Sequence, residues 1–248
     1  INKKMWNEKV ELHVNSAFYD MASFKEGKTT LKEIELALLG DVAGKSILHL
    51  QCHFGQDTLS LARLGAKATG IDLSDEAIRT AQSLTEELGL DARFISCDVY
   101  GLPEVLDEKF DVVFTSYGTI GWLPDIEKWA EVVAHFLKPE GTFVFAEFHP
   151  VVWMFDNDLK FVQYPYFKAD PIVETESGTY ADRENGSHFT SMTWNHGIGE
   201  VFMALRKQNL QIEVLEEYDY SPYNCLANMV EVESGKYRVA HLNSLIPL

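Results

Sequence analysis

Basic residues are scarce in this chain, whose 248 residues carry 21 Lys+Arg against 38 Asp+Glu for a formal net charge of −17. Proteins that grip phosphate backbones concentrate Lys and Arg, so this balance argues against a nucleic-acid partner and favours a small molecule. Long hydrophobic runs are missing too. No stretch of about 18 apolar residues occurs, and the N-terminus lacks the apolar core of a secretion signal, so the expectation is no membrane span and a cytoplasmic location. Cysteine is sparse: Cys52, Cys97 and Cys225 are widely spaced and odd in number. They fit neither a disulfide framework nor a paired-cysteine zinc site, and reduced thiols with no metal are expected. Apolar residues, in contrast, are plentiful. A hydrophobic fraction of 46%, with 12% aromatic, suffices for the core of one large α/β domain or two smaller ones and argues against disorder.

The first forty residues read as helices, with Thr30 to Glu33 as a capping box, Leu31, Ile34 and Leu38 at helical spacing and Gly40 as a stop. From Lys45 the pattern changes to short apolar strands alternating with helices. Strands are expected near 46–50, 68–71, 93–96, 111–115 and 142–146, the last entered by the turn Lys138-Pro139-Glu140-Gly141. Helices are expected near 57–64, 75–88 and 126–137; Ser74 caps the second and Gly89 ends it. This alternation predicts a doubly wound, mostly parallel sheet. Residues 151–195 break the rhythm with many aromatics and a tight-turn signal at Glu184-Asn185-Gly186-Ser187, so they read as an inserted β-hairpin lid. A helix at 199–207, a strand at 211–218 and a last strand within 237–248 follow.

The expected division is therefore an N-terminal helical cover (1–44), a ligand-binding core (45–150), the lid (151–195), and a C-terminal helix with strands completing the core sheet (196–248). The chemistry concentrates at strand ends. Ile47 to Asp57 is a buried strand running through Gln51, Cys52, His53, Phe54 and Gly55 into a helix, and such a first turn lies at the carboxyl edge where open α/β sheets bind ligands. About twenty residues on, Gly70-Ile71-Asp72-Leu73-Ser74 ends the second strand with an acid at the spacing that holds a ribose. Asp98, in Cys97-Asp98-Val99, ends the third and is placed to accept from an adenine amino group. One ribose acid and one base acid describe an adenosine pocket.

These stretches, with Phe110 to Val113 before Ser116-Tyr117-Gly118 and the turn at Leu137 to Thr142, resemble class I S-adenosylmethionine-dependent methyltransferases. The resemblance is specifically to the small-molecule group similar to ubiquinone and menaquinone biosynthesis methyltransferases. It implies a Rossmann-like methyltransferase fold, S-adenosylmethionine as cofactor and methyl transfer to a small-molecule acceptor. The cofactor residues it implies are Tyr19, Gln51, His53, Gly55, Asp72, Leu73, Asp98, Val99, Ser116 and Tyr117. The chain departs from the family at His49, Gln51 and His53, where an acid and two further glycines are usual.

Strand-end and lid positions facing the same crevice give Trp122, His149, Trp194 and His196 as acceptor contacts, with Glu147 also near; each has a packing role as its alternative. No residue is assigned as catalytic, because in-line methyl transfer is served chiefly by positioning, and a base is needed only where the acceptor must lose a proton. Two rivals stand beside this reading. A non-catalytic module binding S-adenosylmethionine or S-adenosylhomocysteine is motivated by His53, and an NAD-dependent oxidoreductase would share the sheet but wants a G-x-G-x-x-G turn that is absent. The acceptor and the oligomeric state are not legible in the sequence.

Overall fold

The computed structural model describes residues 1–242 and 245–248. Helices α1 (Asn2–Val14), α2 (Met21–Lys25) and α3 (Glu33–Leu39) precede the sheet. Then come β1 (Ser46–Leu50), α4 (Gln56–Arg63), β2 (Lys67–Asp72), α5 (Asp75–Leu88) and β3 (Ala92–Ser96). The core continues through α6 (Leu102–Val105), β4 (Phe110–Thr115), α7 (Ile126–Phe136) and β5 (Leu137–Phe145). The hairpin strands β6 (Ile172–Ser177) and β7 (His188–Thr193), helix α8 (Ile198–Lys207), and strands β8 (Met229–Glu233) and β9 (Lys236–Val239) complete the chain.

Five parallel strands form the central sheet in the order β3-β2-β1-β4-β5. Its strands are apolar on both faces because helices cover both. Leu48, Leu50, Ile71 and Val113 pack with Trp129, Val133 and Phe136 of α7 and Val201 and Leu205 of α8. Their neighbours Ile47, Val112 and Phe114 point the other way, against Leu39 and Leu61. The chain winds outward from β1 to β3 and then returns to β4 on the opposite side of β1. The carboxyl ends of β1 and β4 therefore diverge, and a crevice opens between their loops.

Local signals set the helix ends. The Ser74 hydroxyl accepts from the Ala77 amide at 3.1 Å, Asp75 and Glu76 occupy the first turn, and Gly89 stops α5 in the left-handed region at φ 60°. The expected capping box at Thr30 to Glu33 is displaced by two residues: Lys32 is the cap, its amide donating to Glu35 at 3.0 Å. Thr30 turns instead to Asp57, its hydroxyl 2.5 Å from the carboxylate. The turn expected at 138–141 lies inside β5, where pairing with β4 jumps from Phe110↔Leu137 to Val112↔Thr142.

Larger corrections fall after the core. β8 and β9 pair with each other, not with the central sheet. They carry Val239 and Met229 into a separate apolar cluster with Phe148, Val152 and Leu159, so the C-terminal segment supports the lid rather than completing the core sheet. Residues 211–218 form no strand; Val214 and Leu215 stay exposed, without a strand beside them. Within the last expected strand, β9 stops at Val239, and residues 243–244 lie outside the described residues. The lid hairpin is antiparallel as expected, but residues 178–187 join its strands as one longer loop closed by Gly178 donating to Ser187 at 2.9 Å.

Candidate functional site

The cavity at the sheet's carboxyl edge has a volume of about 1120 Å³. Its floor is the ends of β1 to β4, its roof α1 and α2, and its outer wall the β6–β7 hairpin. Roof and wall are stitched by Asn2, whose side-chain amide donates to the Met192 carbonyl at 2.7 Å and accepts from the Met192 amide at 2.9 Å.

Asp72 sits at the centre of the floor and is buried. One carboxylate oxygen accepts from the Ser74 amide and the other from the His53 amide, each at 2.8 Å. Each oxygen keeps a further lone pair, so the group can still accept from two ligand hydroxyls. Burial pushes its pKa up to about 6, the backbone donors opposing that rise. Asp98 lies on the adjacent strand end: the Cys97 amide donates to the Asp72 carbonyl at 2.9 Å, and the next residue is Asp98. Its side chain accepts from the Tyr100 amide at 2.9 Å and caps the short turn at Val99–Gly101. Asp72, Leu73, Asp98 and Val99 line one continuous cavity.

The loop after β1 bends as a glycine loop does, with other residues. Gln51 and His53 take positive φ, at 55° and 52°, as does Gly55 at 80°. A non-glycine residue there costs about 1–2 kcal/mol. Gln51 is held by its side-chain amide donating to the Thr119 carbonyl at 2.9 Å. The His53 ring leaves the floor for the roof, lying against Trp6 (5.4 Å between ring centroids), His13 (5.2 Å) and Tyr19 (5.6 Å, stacked). Gly55 is required for space as well as conformation, because a Cβ there would come within 2.6 Å of the Phe94 ring.

Across the crevice, Ser116 and Tyr117 follow β4. The Ser116 hydroxyl is 3.4 Å from the Asp57 carboxylate and 3.5 Å from His49 Nε2, and Tyr117 donates to Glu35 at 3.0 Å. His49, buried with its Nδ1 2.8 Å from Thr58 Oγ1, is driven down to a pKa of about 3 by desolvation and is neutral. Glu147 does not line the cavity. Its carboxylate takes the amides of Gly118, Thr119 (2.7 Å), Ile120 (3.2 Å) and Phe148 (2.7 Å) and so fixes the loop after β4. That loop presents Trp122, whose indole donates to the Gly118 carbonyl at 2.7 Å and meets Trp6 edge-on.

Of the expected acceptor contacts, Trp122 and Trp194 line the cavity; His149 and His196 do not. His149 turns away from it to Glu217, at 2.8 Å. His196 is a packed histidine, 2.8 Å from the Leu123 carbonyl and 3.1 Å from Glu200. All ten expected cofactor residues line the cavity. The sequence reading passed over Lys9, Asp57, Tyr180 and Tyr223, which also line it. A signal existed for the first: Asn2, Trp6, Lys9 and His13 follow helical spacing and form one polar and aromatic face of α1. Among the described residues, no group of three or more His, Cys, Asp or Glu is arranged to hold a metal ion.

A parallel sheet of order β3-β2-β1-β4-β5 flanked by helices, with acids from the ends of β2 and β3 on one cavity, defines the Rossmann-like methyltransferase fold. Comparison with known proteins agrees. Residues 47–141 match the family described as "Methyltransferase domain". Phosphoethanolamine N-methyltransferase 1 of Triticum aestivum is 27% identical over 220 residues, 84% of this chain and 42% of that protein. A ubiquinone biosynthesis O-methyltransferase of Pseudomonas entomophila (strain L48) is 30% identical over 105 residues, 42% of this chain and 45% of that protein. This chain thus spans less than half the length of either. A solved S-adenosylmethionine-dependent methyltransferase from Mesorhizobium loti superposes with a TM-score of 0.57 at 20% identity, covering 79% of this chain and 87% of that one. Residues 47–141 thus match a methyltransferase domain, in a chain similar to the ubiquinone biosynthesis O-methyltransferases and folded like solved S-adenosylmethionine-dependent methyltransferases.

The residues present fit that cofactor. Small-molecule pockets run to about 300–1,000 Å³. At about 1120 Å³ this cavity lies just above that range, with carboxylates at two neighbouring strand ends and aromatic walls beyond.

Proposed function

We propose that the protein transfers a methyl group from S-adenosylmethionine to a small-molecule acceptor held between α1, the lid hairpin and the loop after β4. The observation that carries this reading is that Asp72 and Asp98, at neighbouring strand ends, line one cavity. Asp72 holds the ribose hydroxyls and Asp98 the adenine amino group, while Leu73 and Val99 supply apolar contact to the nucleoside. Gln51, His53, Gly55, Ser116 and Tyr117 border the remainder, and Tyr19 closes it from the roof.

Bound there, the cofactor supplies an electrophilic methyl on a sulfonium. The chain's own residues do the positioning, which is the largest contribution available to such a transfer, with effective molarities of about 10⁵–10⁸ M. Trp6, Trp122 and Trp194 wall the acceptor side and exclude water. Relatives named for phosphoethanolamine N-methylation and ubiquinone O-methylation support an amine or hydroxyl acceptor. For a hydroxyl, Asp57 is the base within the cavity: desolvation raises its pKa, and its carboxylate keeps neutral partners in Thr30 and Ser116. The charge of −17 supports a small-molecule partner over nucleic acid. The unpaired cysteines Cys52, Cys97 and Cys225 support a reducing compartment, the cytoplasm.

Calorimetry with S-adenosylhomocysteine tests the pocket. Each ribose hydrogen bond to a carboxylate is worth about 1.5–3 kcal/mol, so Asp72→Ala is expected to weaken binding at least a hundredfold and Asp98→Ala less. Unchanged affinity in Asp72→Ala would remove the assignment.

A further inference from the structure

Lys9 is the anomaly of the cavity. It lies on α1, only 9% exposed, and lines the cavity. Among the described residues its ammonium has no ion pair and no hydrogen bond. What it has is aromatic: the nitrogen lies 5.5 Å from the Trp6 ring centroid and 5.2 Å from that of Phe189. A buried cation is ordinarily paired, because losing its water costs several kcal/mol. This one is unpaired in a chain with 17 more acids than bases.

Among the described residues no carboxylate pairs with it directly. His13 and His53 flank it, and all four of their ring nitrogens are buried without a partner. Both imidazoles are held neutral by desolvation, with the Lys9 charge adding to that effect. Glu176, on β6, is the carboxylate whose field reaches Lys9; it is exposed and accepts from the Asn157 side-chain amide. Tyr19 and Tyr180 spend their hydroxyls on each other. The roof therefore gathers an ammonium and two neutral imidazoles, and no acceptor turns to meet them.

We propose that Lys9 is the anchor of an anion site in the roof, taking a carboxylate or phosphate of a ligand bound in this cavity. This rests on the cofactor reading above. Two ligands can bring such a group, the cofactor through its own carboxylate and the acceptor through an acidic substituent, and the same residue serves either. Lysine binds such a group as a point charge on a flexible stem, and the aromatic faces of Trp6 and Phe189 hold that stem in place.

The test has two arms, both read as binding. In the first, calorimetry compares S-adenosylhomocysteine with 5′-methylthioadenosine, which lacks the amino-acid part, on wild type, Lys9→Met and Lys9→Arg. A tenfold or greater loss for S-adenosylhomocysteine alone in Lys9→Met, restored in Lys9→Arg, assigns the site to the cofactor's carboxylate. In the second, protein saturated with S-adenosylhomocysteine is titrated with benzoate, inorganic phosphate and neutral benzyl alcohol, with Trp6 contributing to the fluorescence readout. Binding of either anion over the alcohol, lost in Lys9→Met and kept in Lys9→Arg, assigns it to the acceptor. If Lys9→Met leaves every affinity unchanged, the proposal is overturned. It is also overturned, whether or not the variants fold, if wild type prefers neither S-adenosylhomocysteine over 5′-methylthioadenosine nor an anion over the alcohol. Failure of the cofactor reading looks different: neither nucleoside binds the wild type at all.

Discussion

Acidifying the solution should release the cofactor, and Asp72 sets where. Without ligand, burial holds this carboxyl at about 6. Ribose hydroxyls donate to the ionised form, so binding favours loss of the proton and drags the pKa down. Affinity is full well above pH 6 and falls as the pH drops through it. At pH 5 about one molecule in eleven has Asp72 ionised, so the dissociation constant for S-adenosylhomocysteine is expected to rise about tenfold between pH 8 and pH 5. Near pH 6, binding should release about half a proton, measurable by calorimetry in buffers of different ionisation enthalpy.

The same linkage acts on stability with the opposite slope. A carboxyl whose folded pKa lies above its unfolded value contributes stability below the unfolded pKa, and that contribution is lost as pH rises through the folded one. From 3.8 to about 6, the shift corresponds to about 3 kcal/mol. Cofactor-free wild type should lose most of that relative to Asp72→Asn between pH 4 and pH 7, measured by urea unfolding. A dissociation constant flat from pH 8 to 5, or a pH dependence that persists in Asp72→Asn, would refute the reasoning.

Three further outcomes follow from the same geometry. Gly55→Ala places a Cβ 2.6 Å from the Phe94 ring at a φ of 80°, so a loss of about 1–3 kcal/mol, seen as a lower Tm, is expected along with weaker S-adenosylhomocysteine binding. Glu147→Gln turns an amide donor toward backbone amides that now share a carboxylate; about 1–3 kcal/mol should be lost, with faster hydrogen exchange at Gly118 to Ile120. Asn2→Ala removes both hydrogen bonds to Met192 and should raise exchange at that amide with little change in Tm, because α1 and the hairpin are otherwise joined mainly by side-chain packing.

The core was legible because its signals are local. Strand positions were fixed by apolar runs, and α5 by Ser74 and Gly89, whose roles are complete within one turn of chain. Asp72 and Asp98 were legible because strand-end acids in an open parallel sheet have one place to go. Pairing after the core was not legible, since alternation at 211–218 tells which residues share a face but not whether a strand lies alongside. His149 failed on parity: Phe148 lines the cavity and its neighbour points to Glu217, a difference of one residue at an irregular strand end. His196 stands beside cavity-lining Trp194 and Asn195, yet its ring is used up by Leu123 and Glu200.

The departure at 51 and 53 raised the question of whether the loop still shapes a cofactor pocket. Its backbone keeps the conformation of a glycine loop, since both residues occupy the left-handed region that glycine would take. Two such residues cost about 2–4 kcal/mol together, and the chain offsets this with contacts that glycine could not make. Gln51 ties the loop to the Thr119 carbonyl, whose own segment is fixed by Glu147, so the ends of β1, β4 and β5 become one unit. His53 binds the loop to the roof through Trp6, His13 and Tyr19, while its amide holds Asp72. A glycine loop would have no side chain to reach the roof; this one fixes the cover above it. Side chains at these two positions therefore couple Asp72 to α1, and through Asn2 to the lid hairpin, which joins the floor, roof and outer wall of the cavity in a single mechanical body.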